Sequence, residues 1–163
     1  MNHSSETGQI LAREHRDNVA LLARVEQSLQ RTTSGSAMDA DTVRLLRSLC
    51  EHATQDMARH FAFEEQELFP RMTAAGEGDL AELLGEEHAA IRAVVSELAP
   101  LVGAGSAAAP DAEASGHLRR LALEFVERLL AHVEKEEMSL VPLLDDLLDA
   151  DTDRELVLGY ASS

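Results

Sequence analysis

Apolar residues recur at helical spacing in four stretches of the chain, and no stretch of useful length alternates with the two-residue period of a strand. The first runs from about Thr7 to Arg31 and puts Leu11, Asn18, Leu22, Val25 and Leu29 on one stripe. The break Thr32–Ala37 (TTSGSA) follows. The second runs from about Asp39 to Met72 through Val43, Leu46, Cys50, Ala53 and Met57. A Gly-bearing break at Gly76–Gly78 precedes Asp79, an expected N-cap. The third runs to about Val102 through Leu80, Leu84, Ile91, Val95 and Leu98. The stretch Gly103–Pro110 (GAGSAAAP) reads as a flexible loop. The fourth runs from about Asp111 to Asp149 through Leu118, Leu121, Phe125 and Leu129, and Asp153–Tyr160 can add a last turn or two.

Four amphipathic helices on short connections predict an all-α fold, an antiparallel up-down four-helix bundle with a short extra C-terminal helix possible. The bundle is expected over residues 7–150. A disordered N-terminal tail over 1–6 and a tail or short helix over 151–163 flank it. The two halves resemble each other, which predicts a pseudo-two-fold repeat. His15 and His88, each preceded by Glu, are 73 residues apart, and His60 and His132 are 72 apart.

Composition narrows the function more than the fold. The 163 residues are enough for one real core, and 45% are apolar but only 3% aromatic, which favours helix over sheet. A formal net charge of −16 repels nucleic acid and anionic membranes, so neither is an expected partner. Cys50 is the only cysteine, so there is no disulfide framework. With no leader-like or membrane-spanning run, a cytoplasmic location is expected.

The candidate chemistry lies in the apolar stripes themselves. Residues 60–70 read HFAFEEQELFP and residues 132–142 read HVEKEEMSLVP. The stripes pass through His15, through His60 and Glu64, through His88, and through His132 and Glu136. A buried carboxylate escapes its desolvation cost by protonation, pairing or a metal. No Lys or Arg lies in these stripes, and Arg92 and Arg128 read as flanking. On a helix, i and i+4 are ~40° apart in angle and ~6 Å in height, so each His-x-x-x-Glu aims both side chains at one spot. Two such helices and one His from each of the other two converge six ligands on the bundle centre. That set suits two metal ions bridged by carboxylates, with Fe, Mn or Zn favoured over Ca or Mg.

The other polar residues near these stripes are assigned elsewhere. Glu65 and Glu137 are rotated ~100° from the ligand positions and read as solvated or flanking, so substitution there is expected to do little. His52, ~12 Å before His60, reads as a helix flank rather than a fifth ligand. Asn18 and Asp56 are open to hydrogen-bonding roles around His15 and His60. Structural or neutral roles are given to His3 and His117. Pro70 and Pro142, each six residues past a ligand Glu, are expected to kink or end their helices.

These residues resemble the hemerythrin-like family, also called HHE cation-binding domains, over roughly residues 7–149. The family pattern reads here as His15, HFAFE at 60–64, His88 and HVEKE at 132–136. The resemblance implies a non-haem diiron centre with two Fe ions, oxo- or hydroxo-bridged, for which Zn or Mn can substitute. Glu64 and Glu136 would bridge, with His15 and His60 on one iron and His88 and His132 on the other. Oxygen-carrying hemerythrins have HxxxH on the third helix, whereas Arg92 stands four residues after His88. That departure argues against reversible oxygen carriage. It brings the chain closer to relatives implicated in nitric oxide and oxidative stress responses, iron-centre repair or sensing. Binding of, or reaction with, O2, NO or peroxide is the expected function. A metalloenzyme (peroxide breakdown or di-metal hydrolysis) and a purely structural metal-binding bundle are the alternatives.

Overall fold

The computed structural model describes residues 5–32, 35–103 and 109–163, and every element among them is helical. The elements are α1 (Glu6–Arg31), α2 (Ala40–Thr54), α3 (Asp56–Phe63), a π-helical turn (Glu64–Leu68), α4 (Phe69–Ala74), α5 (Gly78–Val102), α6 (Ala112–Met138), α7 (Leu140–Leu147) and α8 (Ala150–Ala161). The stretch from α2 to α4 is one interrupted rod. It packs with α1, α5 and α6 in a ring: α1 touches α2 and α6, and α5 touches α2, α4 and α6. His3 and much of the loop predicted at Gly103–Pro110 lie outside the described residues.

The helix starts follow local chemistry. Ser5, Asp39, Asp111 and Asp149 each accept a backbone N–H from the residue three positions on, satisfying one of the free donors of a helix N-terminus. Asp79 does not cap: α5 begins one residue earlier at Gly78, with Glu77 before it, so Asp79 sits in the first turn. There its charge still complements the helix dipole. Ser5 and Glu6 are not tail: Ser5 is buried, and the Ser5 and Glu6 N–H groups donate to Asp145 and Asp153 at 3.0 and 2.7 Å.

The two prolines act differently from each other, and only at Pro142 does the expected break occur. Pro70 does not end its helix. The chain widens into the π-helical turn just before it, where the Phe69 N–H reaches back five residues to the Glu64 carbonyl. The wider turn relieves the clash a proline ring makes with the preceding turn, and the helix resumes to Ala74. At Pro142 the helix breaks instead, three residues earlier, at Ser139 (φ −126°, ψ −67°). A second break, at Gln55 (φ −113°, ψ −81°), has no proline beside it.

The core consists of two apolar clusters. One gathers Leu22, Val25, Leu29, Leu46, Leu49, Ile91, Leu98, Phe125 and Leu129. The other gathers Leu11, Phe63, Leu68, Phe69, Met72, Leu84, Leu140, Leu144 and Tyr160. In each of the four rods the chain passes from one cluster to the other at the predicted ligand: between Leu11 and Leu22, Met57 and Leu68, Leu84 and Ile91, and Leu129 and Leu140. A polar layer therefore divides the core, at the cost of buried hydrophobic contact.

Candidate metal centre

The structure brings all six predicted residues into that layer. His15, His60, Glu64, His88, His132 and Glu136 are at most 3% exposed. One donor atom each from His15, His60, Glu64 and Glu136 lies within 4.8 Å of the others, and Glu64, His88, His132 and Glu136 form a second such group. The two groups share both glutamates. The imidazoles turn Nε2 inward: His15 to Glu136 at 2.9 Å, His60 to Glu64 at 3.0 Å, His88 to Glu64 at 3.2 Å, and His132 to Glu136 at 2.9 Å. The Nε2 atoms of His88 and His132 are 3.0 Å apart.

Among the described residues no oriented hydrogen bond satisfies the two glutamates at this centre. Both oxygens of Glu64, both of Glu136 and Nε2 of His15 are buried without an oriented hydrogen-bond partner. Orphaned carboxylate oxygens cost several kcal/mol each, by order of magnitude, unless a proton or a cation compensates. In the metal-free protein protons do so. Burial alone pushes an imidazole pKa down, but the carboxylates outweigh it. His15 is held above its ordinary value by Glu136, His60 well above it chiefly by the charge of Glu64, and His88 is pushed up to about 9 by Glu136 and Glu64. Glu136 is correspondingly held well below the carboxylate range, against its own burial, by the His132 and His15 imidazoles beside its oxygens.

The outward nitrogens show what the sequence reading missed. Every Nδ1–H donates to a carboxylate on a neighbouring rod. His60 donates to Glu14 at 2.7 Å, His88 to Glu65 at 2.8 Å, His132 to Glu87 at 2.7 Å and His15 to Glu137 at 2.6 Å. A carboxylate can only accept, so each Nδ1 carries a proton, and Nε2 presents its lone pair inward once its own proton has left. The bonds form a closed cycle. A glutamate on α1 holds the histidine of α3, one on the π-helical turn holds α5, one on α5 holds α6, and one on α6 holds α1. Each seam of the ring is stitched once.

This corrects the reading of Glu65 and Glu137. They are rotated from the central axis as expected, but 100° from the centre of a four-rod ring faces the next rod, not water. Their side chains are only 33% and 35% exposed. Glu65 also takes Arg92 Nη1 at 2.7 Å, so the arginine in place of a fifth histidine braces a ligand's partner. Lys135 pairs with Glu87, and Arg59 lies 3.7 Å from Glu14. The available signal was the repeated Glu-His and Glu-Glu pairing, 14–15, 64–65, 87–88 and 136–137.

The remaining candidates fall outside both groups. His52 bonds Asn18 at 2.6 Å and Asp56 at 3.0 Å, so Asn18 and Asp56 serve His52 rather than His15 or His60. His117 is exposed. Arg128 pairs with Glu124 at 3.0 Å on the surface. A cavity of about 150 Å³, with Asn18, His52, Met57 and His60 in its wall, leads to the His60 corner.

The hemerythrin HHE cation binding domain family matches residues 8–144. The chain belongs to that family. A search of the curated proteins gives no match. No helix of the described residues is long and apolar enough to cross a membrane. The fold is a helical bundle, and its buried His and Glu groups suit the cation binding for which the family is named.

Proposed function

We propose that this is a non-haem diiron protein that binds or reacts with O2, NO or peroxide in a sensing, scavenging or stress-protection role. The carrying observation is the pair of ligand groups sharing two orphaned carboxylates, each imidazole set for Nε2 ligation by a carboxylate on Nδ1. His15 and His60 would hold one iron, His88 and His132 the other, and Glu64 and Glu136 would bridge them. The ring of helix contacts and the repeated ligand spacing support an antiparallel up-down bundle as the frame.

When bound, the iron pair supplies one-electron redox chemistry and open coordination positions for a small molecule. The protein's part is to fix the imidazoles through the carboxylate cycle and to exclude bulk water with the two apolar clusters. Phe61 stacks on His88 with ring centres 3.8 Å apart, which holds that imidazole against rotation.

The test is anaerobic loading with ferrous iron, followed by O2 or NO. Uptake of two irons per chain and new visible absorption on gas exposure are expected. Uptake of two irons with no response to any small molecule would leave the metal a structural staple. Fewer than two would refute the diiron reading.

A further inference from the structure

The C-terminal helix α8 lies beyond the segment that matches the family, yet it reaches the candidate metal centre. Tyr160, 6% exposed, donates its hydroxyl to Glu14, at 2.8 and 2.9 Å from the two carboxylate oxygens. Glu14 in turn accepts the Nδ1–H of His60. We infer that Tyr160 is a positioning residue, supplied by α8, that fixes the His60 ligand through Glu14 and makes the two ion positions inequivalent. The inference rests on the metal reading above.

The tyrosine is held too firmly to be incidental. The Asp153 carboxylate clamps α8 to the start of α1, accepting the N–H groups of Glu6 and Thr7 at 2.7 and 3.0 Å and the Thr7 hydroxyl at 2.6 Å. One side of the phenol ring meets Phe63, with centres 4.7 Å apart, and the Arg59 guanidinium lies 4.5 Å from the ring centre. These contacts hold the ring with its hydroxyl on Glu14. No guanidinium bonds Glu14 directly: Arg59 is 3.7 Å away, outside hydrogen-bond reach.

The two histidines of the other ion are held differently. Glu87, which holds His132, carries the Lys135 ammonium directly, and Glu65, which holds His88, carries Arg92 at 2.7 Å. A cation in contact draws charge from the carboxylate and weakens its pull on the imidazole N–H. A neutral hydroxyl orients the carboxylate and withdraws less. His60 is therefore the more basic donor, and the ion shared with His15 is set apart from the ion on His88 and His132.

Cobalt(II) is a suitable probe, because paramagnetism shifts the Nδ1–H proton resonances of bound imidazoles clear of the rest. The full chain loaded with cobalt should show four such exchangeable signals. In Tyr160→Phe, which keeps the ring packing, cobalt stoichiometry should hold. The His60 signal should move or broaden by exchange, and those of His88 and His132 should stay. Release of one of the two cobalt ions to a chelator should quicken by up to ~10-fold. Tyr160 is the only tyrosine, so biosynthetic 3-fluorotyrosine labels it alone and gives a second readout that needs no substitution. Its fluorine resonance should shift on cobalt loading, and Glu14→Gln should change that shift. Superimposable proton signals and release rates in wild type and Tyr160→Phe, or a fluorine shift unaffected by Glu14→Gln, would overturn the tyrosine's role and leave the metal reading standing. A wild-type chain that takes up no cobalt would sink both.

Discussion

Replacing Glu65 with alanine tests the carboxylate cycle where sequence reasoning expected no effect. The substitution removes the acceptor 2.8 Å from Nδ1 of His88 and leaves Arg92 without its partner, without touching a donor atom of either ligand group. His88 is fully buried behind Glu65, so its N–H loses a charged acceptor that no other described side chain replaces. Loss of such an outer partner weakens metal affinity by roughly 10- to 100-fold, about 1.4 to 2.7 kcal/mol. In the metal-free protein the unsatisfied N–H costs about 1 to 3 kcal/mol. The assay is competition for zinc or cobalt against a chelator of known affinity, with urea unfolding of the metal-free protein alongside. Glu124→Ala is the control: it removes the same charge, but its pairing with Arg128 is on the surface, with side chains 44% and 47% exposed, and should change neither measurement by more than about 0.5 kcal/mol. If Glu65→Ala and Glu124→Ala bind metal equally well, the carboxylate on Nδ1 is ornamental and the reasoning is wrong.

Glu64→Ala and Glu136→Ala should each lower the metal content measured by elemental analysis while circular dichroism keeps its helical signal, because each removes oxygens common to both ligand groups. Stability of the metal-free protein should fall as pH rises. The folded-state pKa of His88, about 9, lies above the unfolded value, so its contribution is fully present below about pH 6.5 and lost as pH passes through 9. It amounts to about 3 kcal/mol at most, and His15 and His60 shift in the same direction, so the urea midpoint at pH 9.5 should lie below that at pH 6. Asp153→Ala should cost about 1 to 2 kcal/mol in thermal or urea unfolding, since it strips the first turn of α1 of an acceptor for two N–H groups. An unchanged midpoint would show that α8 does not anchor α1.

The sequence by itself determined the helical class, the approximate rods and the six residues that meet at the centre. Those follow from periodicity: a His or Glu on an apolar stripe must go where the stripe goes, and in a ring of four helices every stripe goes to the middle. Helix starts near Asp39 and Asp111 were legible for a similarly local reason, the need of free N–H groups for an acceptor, whereas Ser5 read as tail and Asp79, the expected cap, does not cap. Periodicity within one helix does not say which neighbour stands beside it. Glu14, Glu65, Glu87 and Glu137 look like solvated charges along their own helices. Only the packing of rod against rod turns each toward another helix's histidine. Tyr160 is further removed, because nothing near it in the chain marks a hydroxyl that will meet Glu14 across 146 residues. The response to Pro70 was likewise a tertiary outcome: the ring forbids a regular turn, but whether the chain ends, kinks or widens depends on what the next turn packs against. The sequence placed the donors, and the tertiary structure decided what holds each of them still.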